Sequence, residues 1–318
     1  MCPICNESTG TTYKIKDFMY ENGAIYDYCE CLSCGVLYLK NKVRIQLLYD
    51  NKNYYSFYPH IKSKENLIKS ILDKKRYKSE ILKSSFVGNL LTKIKPLKAY
   101  NLTWIKQLNF ASYQEKILDV GCGNGQLLNF LSSVGFVNLS GIDPFLEEEI
   151  STTLYKIEKK ELLGITETFD VIMFHHVLEH IDNPIETLLK AKELLNADGR
   201  ILIRIPFKDS YAWEKYKENW VQIDAPRHVI IYSKGSLEIL FNKVGLEIID
   251  LKYDSTSFQF WGSEQYLHNI ALCSPNSYHI DPSKSVFSNE KIIAFDNLAE
   301  DLNKNKNGDQ VSIILKNK

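Results

Sequence analysis

The sequence predicts an α/β protein built on a mostly parallel sheet and preceded by a small cysteine-rich module. Three observations carry this expectation. Between residues 111 and 254, short apolar runs alternate with amphipathic helical stretches, the pattern of a parallel sheet covered on both faces. The first of these runs leads into a glycine-rich turn, ILDVGCGNGQLL, at residues 117–128. Five of the seven cysteines fall within the first 34 residues, as Cys2, Cys5, Cys29, Cys31 and Cys34, two pairs of them in C-x-x-C spacing.

In chain order, residues 1–40 read as short strands and metal-binding knuckles, and residues 41–110 as a helical linker or cap. Residues 111–318 read as the main domain. Within it, strands are expected at Lys116–Val120, Asn138–Asp143, Phe169–His175, Arg200–Pro206 and Leu246–Tyr253. Helices are expected at Gln126–Val134, Pro184–Leu195 and Ser236–Val244, the last two opened by Asp182 or Asn183 and by Ser233. Residues 255–310 read as a less regular insertion rich in Ser, Asn, Tyr and Phe. Val311–Leu315 has a strand pattern that could return to the sheet beside Leu246–Tyr253.

Composition narrows the function class. A length of 318 residues allows about two domains. Lys+Arg and Asp+Glu are 39 each, and this zero net charge argues against a protein that holds nucleic acid by bulk charge. Apolar runs such as Val171–Phe174 are far shorter than the ~20 residues of a membrane span. The opening MCPICNESTG has neither a basic n-region nor an apolar h-region, so the expected compartment is the cytoplasm, where cysteines serve metals more than disulfides. Residues 62–98 carry eleven Lys/Arg against three acids, which reads either as a solvated helix face or as an anion-binding one.

The glycine turn is the most informative segment. Glycines after a buried strand let backbone amides approach a ligand, and the helix that follows presents its positive end to a carboxylate or phosphate. A dinucleotide-binding turn would place its third glycine at 126, where this chain has Gln126. Asp119, two residues before Gly121, suits an ammonium group better than a pyrophosphate. Asp143 ends the next strand in GIDP, where a carboxylate can accept both hydroxyls of a ribose. Ammonium, carboxylate and ribose together describe S-adenosylmethionine (SAM).

On these residues the chain resembles the class I SAM-dependent methyltransferases over about residues 111–254. The matching elements are ILDVGCGNG, GIDP, FDVIMFHHVLEHI (169–181) and LLNADGRILIRIP (194–206), in the expected order. The resemblance implies a Rossmann-like sheet of seven strands whose last strand, here Val311–Leu315, is antiparallel. It assigns Asp119, Gly121, Cys122, Gly123, Asn124, Asp143, Pro144 and His175 to the cofactor, with His175 and His176 flanking the sulfonium and the substrate.

Cys2-x2-Cys5 and Cys31-x2-Cys34 form two knuckles, and four thiolates make a closed, structural, zinc-ribbon-like site. Cys29 competes for the third position, though Cys31-x2-Cys34-Gly35 has the better knuckle shape. A cysteine module before a SAM domain resembles a subset of bacterial sugar methyltransferases, in which a Tyr/Ser-rich stretch follows the module, as DNKNYYSFYPH (50–60) does here. The subset's Tyr-x-Glu-His segment matches only at His228, because Ala225 and Arg227 replace the Tyr and Glu. This departure weakens the case for C-methylation and turns the resemblance toward methyltransferases of surface-polysaccharide clusters.

The expected activity is methyl transfer to a sugar or nucleotide-linked sugar, by O- or C-methylation, with a histidine drawing the proton off the acceptor. Candidate catalytic groups are His228, His180, Glu179 and His176. Arg227 suits an anionic substrate group or a salt bridge to Asp224 or Glu218, and Trp213, Trp220, Trp261 and Tyr216 suit sugar stacking or core packing. The alternatives are an RNA base methyltransferase whose basic 62–98 stretch forms one continuous face, and a SAM-binding regulatory protein without turnover.

Overall fold

The computed structural model of the chain describes residues 1–7, 9–20, 23–41, 43, 67–82, 86–94 and 102–318. Strands β1 (Thr9–Lys16), β2 (Ile25–Cys31) and β3 (Leu37–Leu39) form an antiparallel ladder in the cysteine-rich region. Helices α1 (Leu67–Leu82), α2 (Phe86–Ile94) and α3 (Leu102–Gln107) follow. Of the basic stretch, Lys74, Lys75 and Lys93 are exposed, whereas Arg76 pairs with Asp73 and Lys78 lies over the Tyr113 ring. Among the described residues these cations are thus divided between solvent and local partners. The Tyr-rich segment 50–60 lies outside the described residues.

The main sheet contains β4 (Ile117–Val120), β5 (Leu139–Ile142), β6 (Ile150–Ser151), β7 (Tyr155–Glu158), β8 (Phe169–His175), β9 (Leu195–Pro206), β11 (Leu246–Tyr253) and β12 (Gln310–Asn317). Their spatial order is β11-β12-β9-β8-β4-β5-β7-β6. The central pairs β7·β5, β5·β4, β4·β8 and β8·β9 are parallel, and β12 runs antiparallel to both β9 and β11. This is the class I methyltransferase fold with the antiparallel last strand, extended by the short edge strand β6 to eight strands rather than seven.

The apolar runs become strands because each fills two cores at once. Side chains alternate across a strand. In β8, Val171 and Met173 enter the core beneath α3 and α4 (Gln126–Val134), while Ile172 and Phe174 enter the opposite core. The opposite core is closed by Leu188 and Ala191 of α5 (Pro184–Glu193) and by Leu237, Leu240 and Phe241 of α7 (Lys234–Val244). Helix α7 starts at Ser233, whose hydroxyl accepts from the Ser236 amide in a capping box, as the sequence indicates. Helix α5 starts at Asn183 and ends two residues earlier than expected, because Leu195 already belongs to β9.

Two departures from expectation matter for the site. First, β3 pairs with β10 (Ile230–Ile231), so the N-terminal sheet takes its fourth strand from the α/β domain. Cys2, Ile4, Val36 and Tyr38 accordingly share one hydrophobic core with β8, β9 and α7. Second, residues 255–310 are not irregular but hold helices α8 (Phe258–Leu267) and α9 (Asn289–Lys304). These pack with α6 (Tyr211–Tyr216) against Ile15, Phe18, Met19 and Tyr28 of the N-terminal region. Trp213, Trp220 and Tyr216 belong to that core and are at most 3 % exposed, which answers the stacking question for them in favour of packing. Trp261 is partly buried between Phe258 and Tyr278.

The sheet also holds a buried ion pair. Arg204 of β9 donates from Nε to Asp254 Oδ2 at 2.8 Å, and the Gln310 amide nitrogen donates to Asp254 Oδ1 at 2.8 Å. Asp254→Ala removes the carboxylate from a guanidinium that is 4 % exposed, and a loss of about 3–5 kcal/mol in urea unfolding is expected. A change below about 1 kcal/mol, the scale of a surface pair, would show that the pair is dispensable.

Candidate active site

Every residue that the sequence assigns to the cofactor lies at the C-terminal edge of β4, β5 and β8. Gly121, Cys122, Gly123 and Asn124 form the turn from β4 into α4, Asp143 and Pro144 follow β5, and His175 ends β8. Gly121 has φ +66°, and a Cβ there would lie 2.6 Å from Val177 Cγ2. At Gly125, φ is +77° and a Cβ would lie 2.3 Å from Ile157 Cδ1. Only glycine lets the turn pass beneath these side chains. Asp143 braces the turn, accepting from the Gly123 amide at 3.0 Å and the Phe145 amide at 2.9 Å.

The electrostatics of this edge call for a cation. Asp119 is 3 % exposed, and burial together with the Asp143 charge raises it to about 8. Burial also raises Asp143, against the lowering effect of the Phe145 and Gly123 amides. Two buried carboxylates that oppose each other's ionisation fit a ligand carrying an ammonium or sulfonium group.

Beside the glycine turn sits a histidine–carboxylate cluster. His176, with φ +53°, donates its amide to the Arg204 carbonyl at 2.9 Å and places Nδ1 3.3 Å from Glu179 Oε1. Glu179 lies in the 3-10 turn Leu178–His180, is 0 % exposed, and has no hydrogen-bond partner on either carboxylate oxygen. Its burial opposes ionisation, but His176, His228 and His180 outweigh that and hold it below the usual carboxylate range. His180 pairs Nδ1 with the Arg227 carbonyl at 2.9 Å, and His228 pairs Nδ1 with the Gln222 carbonyl at 2.7 Å. Both rings therefore have the tautomer with the proton on Nδ1. The rings meet edge to face at 4.6 Å, and burial and His228 lower His180 to about 4 despite Glu179. His228 Nε2 lies 4.0 Å from both Glu179 Oε1 and Asp224 Oδ2. His175 faces the other way, its ring against Trp104 at 4.3 Å and its Nε2 buried without a partner.

Arg227 is not available to a substrate. It is 2 % exposed and divides its guanidinium between Asp224, as the sequence allowed, and Asp17, which the sequence did not indicate. Asp17 lies 210 positions away, and nothing in its neighbours signals the pairing. The Tyr28 hydroxyl was likewise missed. It is fully buried and donates to the His228 carbonyl at 2.8 Å, so the N-terminal sheet fixes the histidine directly.

The four predicted ligand cysteines converge. Cys2 and Cys34 place their sulfurs 3.6 Å apart, Cys5 and Cys31 3.4 Å apart, and all four lie within 4.8 Å of one another. A tetrahedral ion with metal–sulfur bonds of about 2.3 Å needs vertices about 3.8 Å apart, so the donor set fits one. Cys29 is excluded from it and instead meets the Thr12 hydroxyl.

Residues 90–251 match the family described as "Methyltransferase domain". The chain belongs to that family. This methyltransferase is 34% identical over 114 residues to the mitochondrial ubiquinone biosynthesis O-methyltransferase of Candida albicans, covering 30% of the chain and 34% of the relative. With the ubiquinone biosynthesis O-methyltransferase of Glaesserella parasuis it shares 28% over 128 residues, covering 34% and 54%. With the tRNA U34 carboxymethyltransferase of Campylobacter hominis it shares 33% over 111 residues, covering 30% and 37%. It thus spans about a third to a half of the curated relatives it matches, and none of these three is named for a sugar. A solved SAM-dependent methyltransferase from Mesorhizobium loti aligns over 69% of the chain and 98% of its own, with a TM-score of 0.44 and 13% identity. The plantazolicin methyltransferase BpumL, solved with S-adenosylhomocysteine, aligns over 79% and 98% with a TM-score of 0.41 and 21% identity. The chain therefore carries a methyltransferase domain, on the class I fold described above. Among its described residues, no helix is long and apolar enough to cross a membrane.

Proposed function

We propose that this methyltransferase moves the methyl group of SAM to a hydroxyl of a sugar or nucleotide-linked sugar, and that zinc folds its four-cysteine module. The observation that carries the reading is Glu179, a fully buried carboxylate without a hydrogen-bond partner, ringed by three histidines beside the glycine turn. SAM supplies a methyl group on a positive sulfur that leaves as a neutral thioether. Asp119 and Asp143 would hold its ammonium and ribose ends and so fix the methyl in line for attack, a contribution of up to ~7–11 kcal/mol. A hydroxyl acceptor is a weak nucleophile, so the chain's own groups must draw off its proton. His176 is partly exposed, and with Nδ1 3.3 Å from Glu179 it can take that proton and pass it to solvent while Glu179 steadies the imidazolium.

The partly exposed imidazoles of His176 and His180 suit a hydroxyl-rich acceptor. The O-methyltransferase relatives favour oxygen over carbon as the methylated atom, as does the replacement of the sugar subset's Tyr and Glu by Ala225 and Arg227. The test is incubation with SAM and a panel of nucleotide-sugars, a catechol and unmodified tRNA, measuring thioether product. Turnover on a sugar hydroxyl is the expected result. Turnover confined to the catechol or to tRNA overturns the acceptor class.

A further inference from the structure

The cluster around Glu179 has a charge problem that its own protons do not solve. The carboxylate is fully buried, and its nearest polar neighbour, His176 Nδ1 at 3.3 Å from Oε1, lacks hydrogen-bond geometry. The neighbouring cation Arg227 does not help, because it is committed to Asp17 and Asp224. His228 has an Nδ1 proton fixed on the Gln222 carbonyl, so the atom it turns toward Glu179 is Nε2, which in the neutral ring carries a lone pair. A lone pair and a carboxylate oxygen facing each other repel unless a cation or a proton lies between them. Their separation of 4.0 Å is too long for a hydrogen bond. Two bonds of about 2.0–2.2 Å at a tetrahedral ion span about 3.3–3.6 Å, so the two ligand atoms need to close by only about half an ångström to hold one.

We infer that Glu179, His180 and His228 form a divalent-cation site, distinct from the four-cysteine cluster and close in sequence to Val177, which packs on the glycine turn. One ligand atom from each of the three lies within 4.8 Å of the others. The backbone carbonyls of Gln222 and Arg227, which hold His228 and His180 through Nδ1, are the outer partners that metal-binding histidines ordinarily have. Two imidazoles and one carboxylate suit a borderline ion such as Zn2+, Mn2+ or Fe2+, and leave further positions for an acceptor oxygen. Of the three, His180 is partly exposed. The inference deepens the methyl-transfer reading and rests on it only for the role: the cation orients the acceptor hydroxyl and favours loss of its proton. His176, outside the ligand set, remains the group that takes it. The balance is unchanged. An O–C bond forms, the C–S bond breaks with its electron pair on sulfur, and the hydroxyl proton goes to His176 and then to solvent.

The test is a Co2+ titration of the full chain with its thiolate cluster already filled by zinc, read by visible absorption and by metal content. One further Co2+ per chain is expected, with nitrogen/oxygen ligand-field bands and no sulfur charge-transfer band. His228→Gln and Glu179→Gln should each weaken that binding by at least roughly 100-fold, since even outer partners of metal ligands cost 10- to 100-fold. Unchanged SAM affinity and thermal unfolding in the variants exclude loss of fold. Absence of a second Co2+, or a second Co2+ held equally by both variants, overturns the site. Methyl transfer that survives removal of this ion yet falls in His228→Gln also overturns it, while leaving the methyl-transfer reading intact. Co2+ bound as expected without turnover on any acceptor upholds the site and removes that reading instead.

Discussion

Asparagine in place of Asp119 is expected to weaken SAM binding by about 10- to 150-fold, the equivalent of one charge-assisted hydrogen bond of roughly 1.5–3 kcal/mol. The pH dependence should identify the residue. Burial and Asp143 raise Asp119 to about 8, far above its value in the unfolded chain. An acid shifted this way costs stability once the unfolded chain ionises, so its penalty grows from about pH 4 upward and levels off above about pH 8. A bound ammonium relieves the penalty by favouring the carboxylate. SAM affinity should therefore rise with pH between about 5 and 7.5, where the ligand's own ammonium stays protonated, and binding should release a proton. Calorimetry in buffers of different ionisation enthalpy measures that proton. An Asp119→Asn variant that binds SAM as tightly, with the same pH slope, would place the ammonium elsewhere.

The second large effect concerns the four-cysteine site. Structural zinc contributes about 10–16 kcal/mol of apparent binding free energy in small metal-folded units. Cys34→Ser, or chelation of the wild-type protein, should therefore dismantle the N-terminal sheet. The effect should reach the chemistry, because β3 pairs with β10 and Tyr28 holds the His228 carbonyl. The Ser233 hydroxyl is also bound to the Cys34 carbonyl, at 2.5 Å. A displacement of about 1 Å near the reacting groups can cost about 100-fold in rate, and a fall in kcat of that order is expected while SAM affinity changes little. Full metal content and undiminished kcat in Cys34→Ser would show that the cysteines neither hold an ion nor support the histidine.

Much of this architecture was legible in the sequence for a single reason. In β4, β8, β9 and β12 both faces are buried, so continuous apolar runs such as VIMF and VSIIL declare themselves. Strand β7 did not, because its sequence YKIE buries only Ile157 fully. Helix α8 hid for the opposite reason: it buries Gln259, Ser263 and Gln265 beside Phe260 and Tyr266, and polar residues inside a helix erase its apolar period. Helix α9 was within reach, since Phe295, Ala299 and Leu302 recur at helical spacing. At the site, local spacing revealed the glycine turn and the cysteine knuckles. Contacts that join distant segments, such as Asp17 with Arg227, left no local trace.

The two-residue strand β10 also sets a timetable for synthesis. The four cysteines precede the strand that completes their sheet, which emerges some 190 positions after β3, and the helices α8 and α9 that cover it come later still. As the chain leaves the ribosome, the knuckles can capture a metal ion before any fold exists to protect them. The exposed edge of β3 must wait, unpaired, through most of translation. His228 lies just ahead of β10, so the histidine cluster takes its final form only when the N-terminal sheet has met this much later segment.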